Sequence, residues 1–128
     1  MSDLETIALA VLGGPVTVDL KDGDGKTTIY TVPVGYAMVP FGVIIKNPTA
    51  SLAGGTDFNL GDGASADTWL NAVNLATMTA TTDFYIIASN GVKYTVYDAG
   101  DEFGIIPVTG ATADAQATAI LLGMLFAV

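Results

Sequence analysis

Side chains along most of this chain alternate in character with a period of two, and the alternating runs are short and end in turn residues. Val16, Val18 and Leu20 alternate with Thr17 and Asp19, Thr27 to Val32 is β-branched and aromatic, and Val92, Tyr94 and Val96 alternate with Lys93 and Thr95. A helix cannot keep such a pattern on one face, whereas a half-buried strand requires it. Tyr36 to Lys46 reads as a long strand stopped by Asn47-Pro48, and Thr56 to Leu60, Phe84 to Ala88, Phe103 to Val108 and Ala117 to Val128 read as further strands. Pro40 cannot donate to a ladder, so its strand is expected at a sheet edge or with a bulge. Asn71 to Ala80 reads either as a strand or as one turn of helix and a loop.

Two connections have the chemistry of hairpin turns. Lys21-Asp22-Gly23-Asp24-Gly25-Lys26 separates the first two strands, and Ser89-Asn90-Gly91 separates Phe84–Ala88 from Val92–Tyr97. Asn-Gly supplies the positive φ angles of a tight turn, and both are expected to close hairpins. About eight short strands punctuated by Gly, Pro, Asn and Asp predict an all-β fold: an antiparallel sandwich or barrel, with the jelly-roll-like β-sandwich favoured. No linker or fixed-period repeat divides the chain, so residues 1–128 are expected to form one β-sandwich domain.

The start of the chain supports two readings. Ser2 and Glu5 form a capping-box pattern, Leu4, Ile7, Ala8, Val11 and Leu12 recur at helical spacing, and Gly13-Gly14-Pro15 would end a helix there. Ile7 to Leu12 reads equally as a buried strand. Residues 1–15 are therefore expected to be a short N-terminal helix or an arm.

Composition narrows the functions open to such a sandwich. The chain has no His, no Cys and no Arg among 128 residues. Those side chains carry most general acid–base catalysis, most soft-metal ligation and most phosphate recognition, so an enzyme is not expected and neither is a cofactor. Zinc and iron lack their usual ligands. Thirteen acidic residues against four lysines give a formal charge of −9, which repels phosphate backbones and anionic membrane surfaces. Nucleic acid and membrane are accordingly excluded as partners. The longest apolar run, Ala115 to Val128, is interrupted by Gln116 and Thr118 and falls short of the roughly 20 residues of a spanning helix. Met1 to Glu5 carries acids where a signal peptide carries bases, so synthesis in the cytoplasm is expected.

Half of the residues, 51%, are hydrophobic, and only 13% are charged, about half the usual share. A small domain buries only about two-thirds of the surface of its unfolded chain, so the excess apolar surface predicts a homo-oligomer. Ala119 to Val128 is apolar on both of its alternating faces. Such a strand can cover its own core on one side and a neighbouring subunit on the other, which makes Ile120, Leu122, Met124 and Phe126 the candidate interface.

Other candidate sites are thin. Asp22-x-Asp24-Gly25 opens like a calcium loop, but Lys26-Thr27-Thr28 follows with no Glu to complete it. Asp57, Asp62 and Asp67, or Asp98, Asp101 and Glu102, could hold calcium if they converged, and Asp98 with Asp101 or Glu102 is the best pair for glycoside hydrolysis. Acidic turns explain all of them more simply. Asn47-Pro48-Thr49 has the proline that blocks glycosylation. Trp69 and the tyrosines at 30, 36, 85, 94 and 97 could form a sugar-stacking platform, although core packing and subunit contact account for them. Trp69 is the one kept as a candidate ligand contact.

Ile29-Tyr30-Thr31-Val32-Pro33-Val34-Gly35-Tyr36, followed by a hydrophobic strand and Asn47-Pro48, resembles the opening of small structural proteins of tailed bacteriophages and prophages, among them head-fibre, decoration and tail-associated proteins. Phe58-Asn59-Leu60-Gly61-Asp62, Tyr97-Asp98-Ala99-Gly100-Asp101 and the closing apolar strand follow a similar rhythm. The resemblance implies a viral structural protein, a β-sandwich assembled as a homotrimer or higher ring on a virion or phage-like particle, with a capsid or tail protein as partner. The alternative from another class is a carbohydrate-binding or receptor-binding module acting through Trp69 and loop acids.

Overall fold

A computed structural model describes residues 10–89 and 94–128, apart from the side chain of Ala10. Eight strands follow in order: β1 (Ala10–Asp19), β2 (Thr27–Thr31), β3 (Tyr36–Lys46), β4 (Asp57–Gly61), β5 (Leu70–Val73), β6 (Phe84–Ala88), β7 (Glu102–Thr109) and β8 (Gln116–Ala127). There is no helix among the described residues. The strands form two antiparallel four-stranded sheets, ordered β1-β8-β3-β6 and β2-β7-β4-β5.

This order has a simple origin. First pairs with last, second with seventh, third with sixth and fourth with fifth, which is one long antiparallel ribbon folded at its middle. Winding that ribbon so that successive pairs fall alternately in one sheet and the other gives the jelly roll, and the expected β-sandwich is the fold found.

The winding also decides which turns are hairpins. Lys21 to Lys26 does not close one, because β1 pairs with β8 and β2 with β7 in opposite sheets. Polar, glycine-rich turns suit a crossover as well as a hairpin, and pairing is set by the strand lying alongside. Residues 90–93 of the second expected hairpin, and 1–9 of the expected N-terminal helix or arm, lie outside the described residues. Tyr94 to Val96 form no strand, and Tyr97 makes only an isolated bridge to Met38. Residues 10–12 belong to β1, and Gly13-Gly14-Pro15 lies inside that edge strand as a bulged stretch where a helix stop was one reading. Pro40 sits in a bulge as expected, but in an interior strand between β8 and β6. The register slip between Pro40 and Gly42 accommodates the missing N–H. Asn71 to Ala80 resolves into the end of β5 and a turn. Pro33-Val34-Gly35 makes the corner from one sheet to the other, with Gly35 at φ +86° and Tyr36 N–H donating to the Pro33 carbonyl at 3.2 Å.

Alternate side chains of both sheets meet between them. Val18, Met38, Val43, Ile45, Ala119 and Leu121 come from one sheet, Ile29, Phe58, Leu60, Phe103 and Ile105 from the other, and all are buried. No polar or charged residue is buried among the described residues. Each large side chain in this layer contributes about 1.5–3 kcal/mol by leaving water, so the layer is what holds the sheets together.

Candidate interaction face

With one face of β8 committed to the core, the other is determined. Directly paired residues of neighbouring strands share a face, so the ladders give the outer surface of the β1-β8-β3-β6 sheet row by row. One row is Val11, Leu122, Gly42 and Ala88, the next is Ile120, Ile44 and Ile86, and the third is Thr17, Thr118, Lys46 and Phe84. Towards the C-terminus Met124 pairs with Val39 and Phe126 with Ala37. The four candidate residues of β8 thus stand on one face, down the middle of a sheet face whose first two rows are apolar, whose third carries Thr17, Thr118 and Lys46, and whose Val39 and Ala37 are buried.

Exposure is uneven across it. Ile120, Leu122 and Met124 are half-buried by their neighbours and Phe126 is 36% exposed, whereas Val11, Phe84 and Ile86 on the flanking strands are 62%, 54% and 63% exposed. These three escaped sequence reasoning. Phe84 and Ile86 lie in a strand that is apolar or aromatic at every position, and which of its faces is outward depends on β6 pairing with β3 across forty residues.

The only charge within these rows is Lys46, and the nearest acid in the ladder is Asp19 at the rim, where Gln116 Nε2 donates to its Oδ1 at 2.7 Å. The other described acids lie in the loops at the ends of the sandwich or at the first residue of β4 and β7. Among the described residues, a chain of net charge −9 therefore presents one broad surface almost free of charge.

The remaining candidates are separately accounted for. Asp24 Oδ2 accepts from the Lys21 N–H at 3.1 Å and Asp22 Oδ1 from the Gly110 N–H at 2.9 Å, so the incomplete calcium loop is a pair of capped turns. Neither acidic trio converges, since no three acidic side chains among the described residues come close enough to share a cation. Asp62, Asp101 and Glu102 do line an open cleft of about 400 Å³ with Lys26. The Lys26 ammonium is occupied there, donating to the carbonyls of Gly63 at 3.0 Å and Glu102 at 2.6 Å. Trp69 is half-buried, its ring edge-on to Phe103 with centroids 5.5 Å apart. Tyr97 is buried against the other side of this cluster, 5.7 Å from Phe103, and burial pushes its phenol up to about 12.

No family model and no curated protein matches this chain. Among solved structures, the chain is similar to one from the Cyanophage Pam1 capsid asymmetric unit, with a TM-score of 0.55 and 21% identity over 91% of this chain and 85% of that one. At that identity the likeness establishes a shared fold.

Proposed function

We propose that this chain is a non-enzymatic structural protein of a phage-like virion, a decoration protein that self-assembles as a homotrimer and sits on a capsid or tail protein after synthesis in the cytoplasm. The observation that carries the reading is the outer face of the β1-β8-β3-β6 sheet, largely apolar and crossed by Ile120, Leu122, Met124 and Phe126. The likeness in fold to a phage capsid chain supports it. Three copies turned so that this face lies towards a common axis would remove the excess apolar surface from water, leaving the acidic loops at the ends of the sandwich outside. Subunits of charge −9 repel one another in water, so contact through the face on which the described acids reach only the rim is the arrangement with the least repulsion. Mass spectrometry of density-purified particles from cells carrying the gene tests the assignment. The chain should co-sediment with capsid proteins in near-stoichiometric amount, and its absence from such particles would overturn it.

A further inference from the structure

The strands that carry the most exposed apolar side chains of this face are its flanks, not β8. Phe84 and Ile86 of β6 project outward at 54% and 63% exposure, while their neighbours Ile44 and Ile120 are half-covered. A side chain already covered in the single subunit has little water left to lose on association, so the free energy of docking concentrates on those that are not. β6 has a second unusual property. It is the edge strand of its sheet, pairing among the described strands only with β3, and Phe84-Tyr85-Ile86-Ile87-Ala88 contains no charge and no proline. Edge strands of natural proteins are normally protected by such residues, because a bare apolar edge recruits other chains.

We propose that a second copy of this chain docks on the β6 flank of the outer face, with Phe84 and Ile86 as the anchors of the contact. The inference rests on the self-association proposed above and assigns its energetic centre to β6. Two properties suit another copy as the occupant. Repulsion between two copies of charge −9 is least where acids are absent, and the rows through Phe84 and Ile86 hold none, with Lys46 beside Phe84 as their single charge and Asp83 just before the strand. The size also fits. With strands about 4.8 Å apart and about 3.4 Å per residue, four strands over some eight residues span on the order of 500 Å² of flat sheet, which side-chain relief raises towards the roughly 800 Å² per partner of a stable interface.

Ile86→Lys and Phe84→Lys test this, read by sedimentation equilibrium over a wide concentration range. Both positions face solvent in the single subunit, so the fold should survive, as circular dichroism and the melting temperature would report. Lysine makes the subunit less negative, so a loss of association in Ile86→Lys cannot come from greater net repulsion between copies, and Phe84→Lys, beside Lys46, is read against it. Each variant should weaken association at least tenfold, while Val108→Lys, at a residue 53% exposed on the opposite sheet, should leave it unchanged. An oligomeric wild type with both β6 variants still at wild-type mass would overturn the anchor assignment and leave self-association standing. A wild type that is monomeric at every concentration would overturn both.

Discussion

The Tyr97 hydroxyl donates its proton to Thr68 Oγ1, 2.8 Å away, and the direction of that bond is fixed by a third residue. Thr68 gives its own proton to Asp62 Oδ1 at 2.6 Å and accepts from the Asp62 N–H at 3.0 Å, so only its lone pairs remain for Tyr97. The loop between β4 and β5 is tied in this way to the segment preceding β7. Tyr97→Phe keeps the buried ring and removes the tie, and should cost about 1 kcal/mol in chemical denaturation.

The same tyrosine makes stability depend on alkaline pH. Its unfolded form releases its proton near 10 and the buried form near 12. Above pH 10 the unfolded chain therefore holds fewer protons than the native one, so stability is complete below pH 10, falls as pH rises towards about 12, and levels off beyond, with a slope of at most about 1.4 kcal/mol per pH unit from this group. Denaturation curves between pH 9 and 12 should show that decline, and Tyr97→Phe should flatten it.

Phe103 is the centre of the aromatic cluster, fully buried with the rings of Trp69 and Tyr97 edge-on at 5.5 and 5.7 Å. Phe103→Ala should destabilise by about 3–5 kcal/mol, since it removes the partner of both rings and leaves a cavity between the sheets. Trp69 is the only tryptophan, so its emission should shift to the red in the folded variant as water reaches it.

Gly123 lies where β8 crosses the bulge of β3. A Cβ there would stand 2.5 Å from the Val39 carbonyl oxygen and 3.0 Å from Pro40 Cα, so backbone would have to move. Gly123→Val should cost roughly 1–3 kcal/mol, readable as a lowered melting temperature.

Strand positions were largely legible because alternation is a local property. Tyr36–Lys46 and Phe84–Ala88 are read at their observed bounds, and the closing strand to within a residue. Pairing is not local, and this is where reading fails. Lys21 to Lys26 has the residues of a hairpin turn yet crosses between sheets, because the partner of β1 is a strand about a hundred residues away. The candidate site divides in the same way. Ile120, Leu122, Met124 and Phe126 could be found from one strand that is apolar on both faces, but Val11, Phe84 and Ile86 join them only through the ladders β1 with β8 and β3 with β6.

Leu122→Asp and Phe126→Asp separate fold from assembly along β8. Leu122 is half-buried between β1 and β3, so its replacement should lower both melting temperature and assembled mass, as a charge forced out of water is costly. Phe126 is more open, near the strand end, and its replacement should lower the mass with little effect on melting. Wild-type mass in both variants would remove β8 from the interface.

The most direct measurement is the molar mass of the intact protein by light scattering across a dilution series, with and without a calcium chelator. A stable mass near three subunits of 13.1 kDa that ignores the chelator is the result that the proposed association through the apolar face predicts. A single subunit at every concentration would contradict self-association through that face.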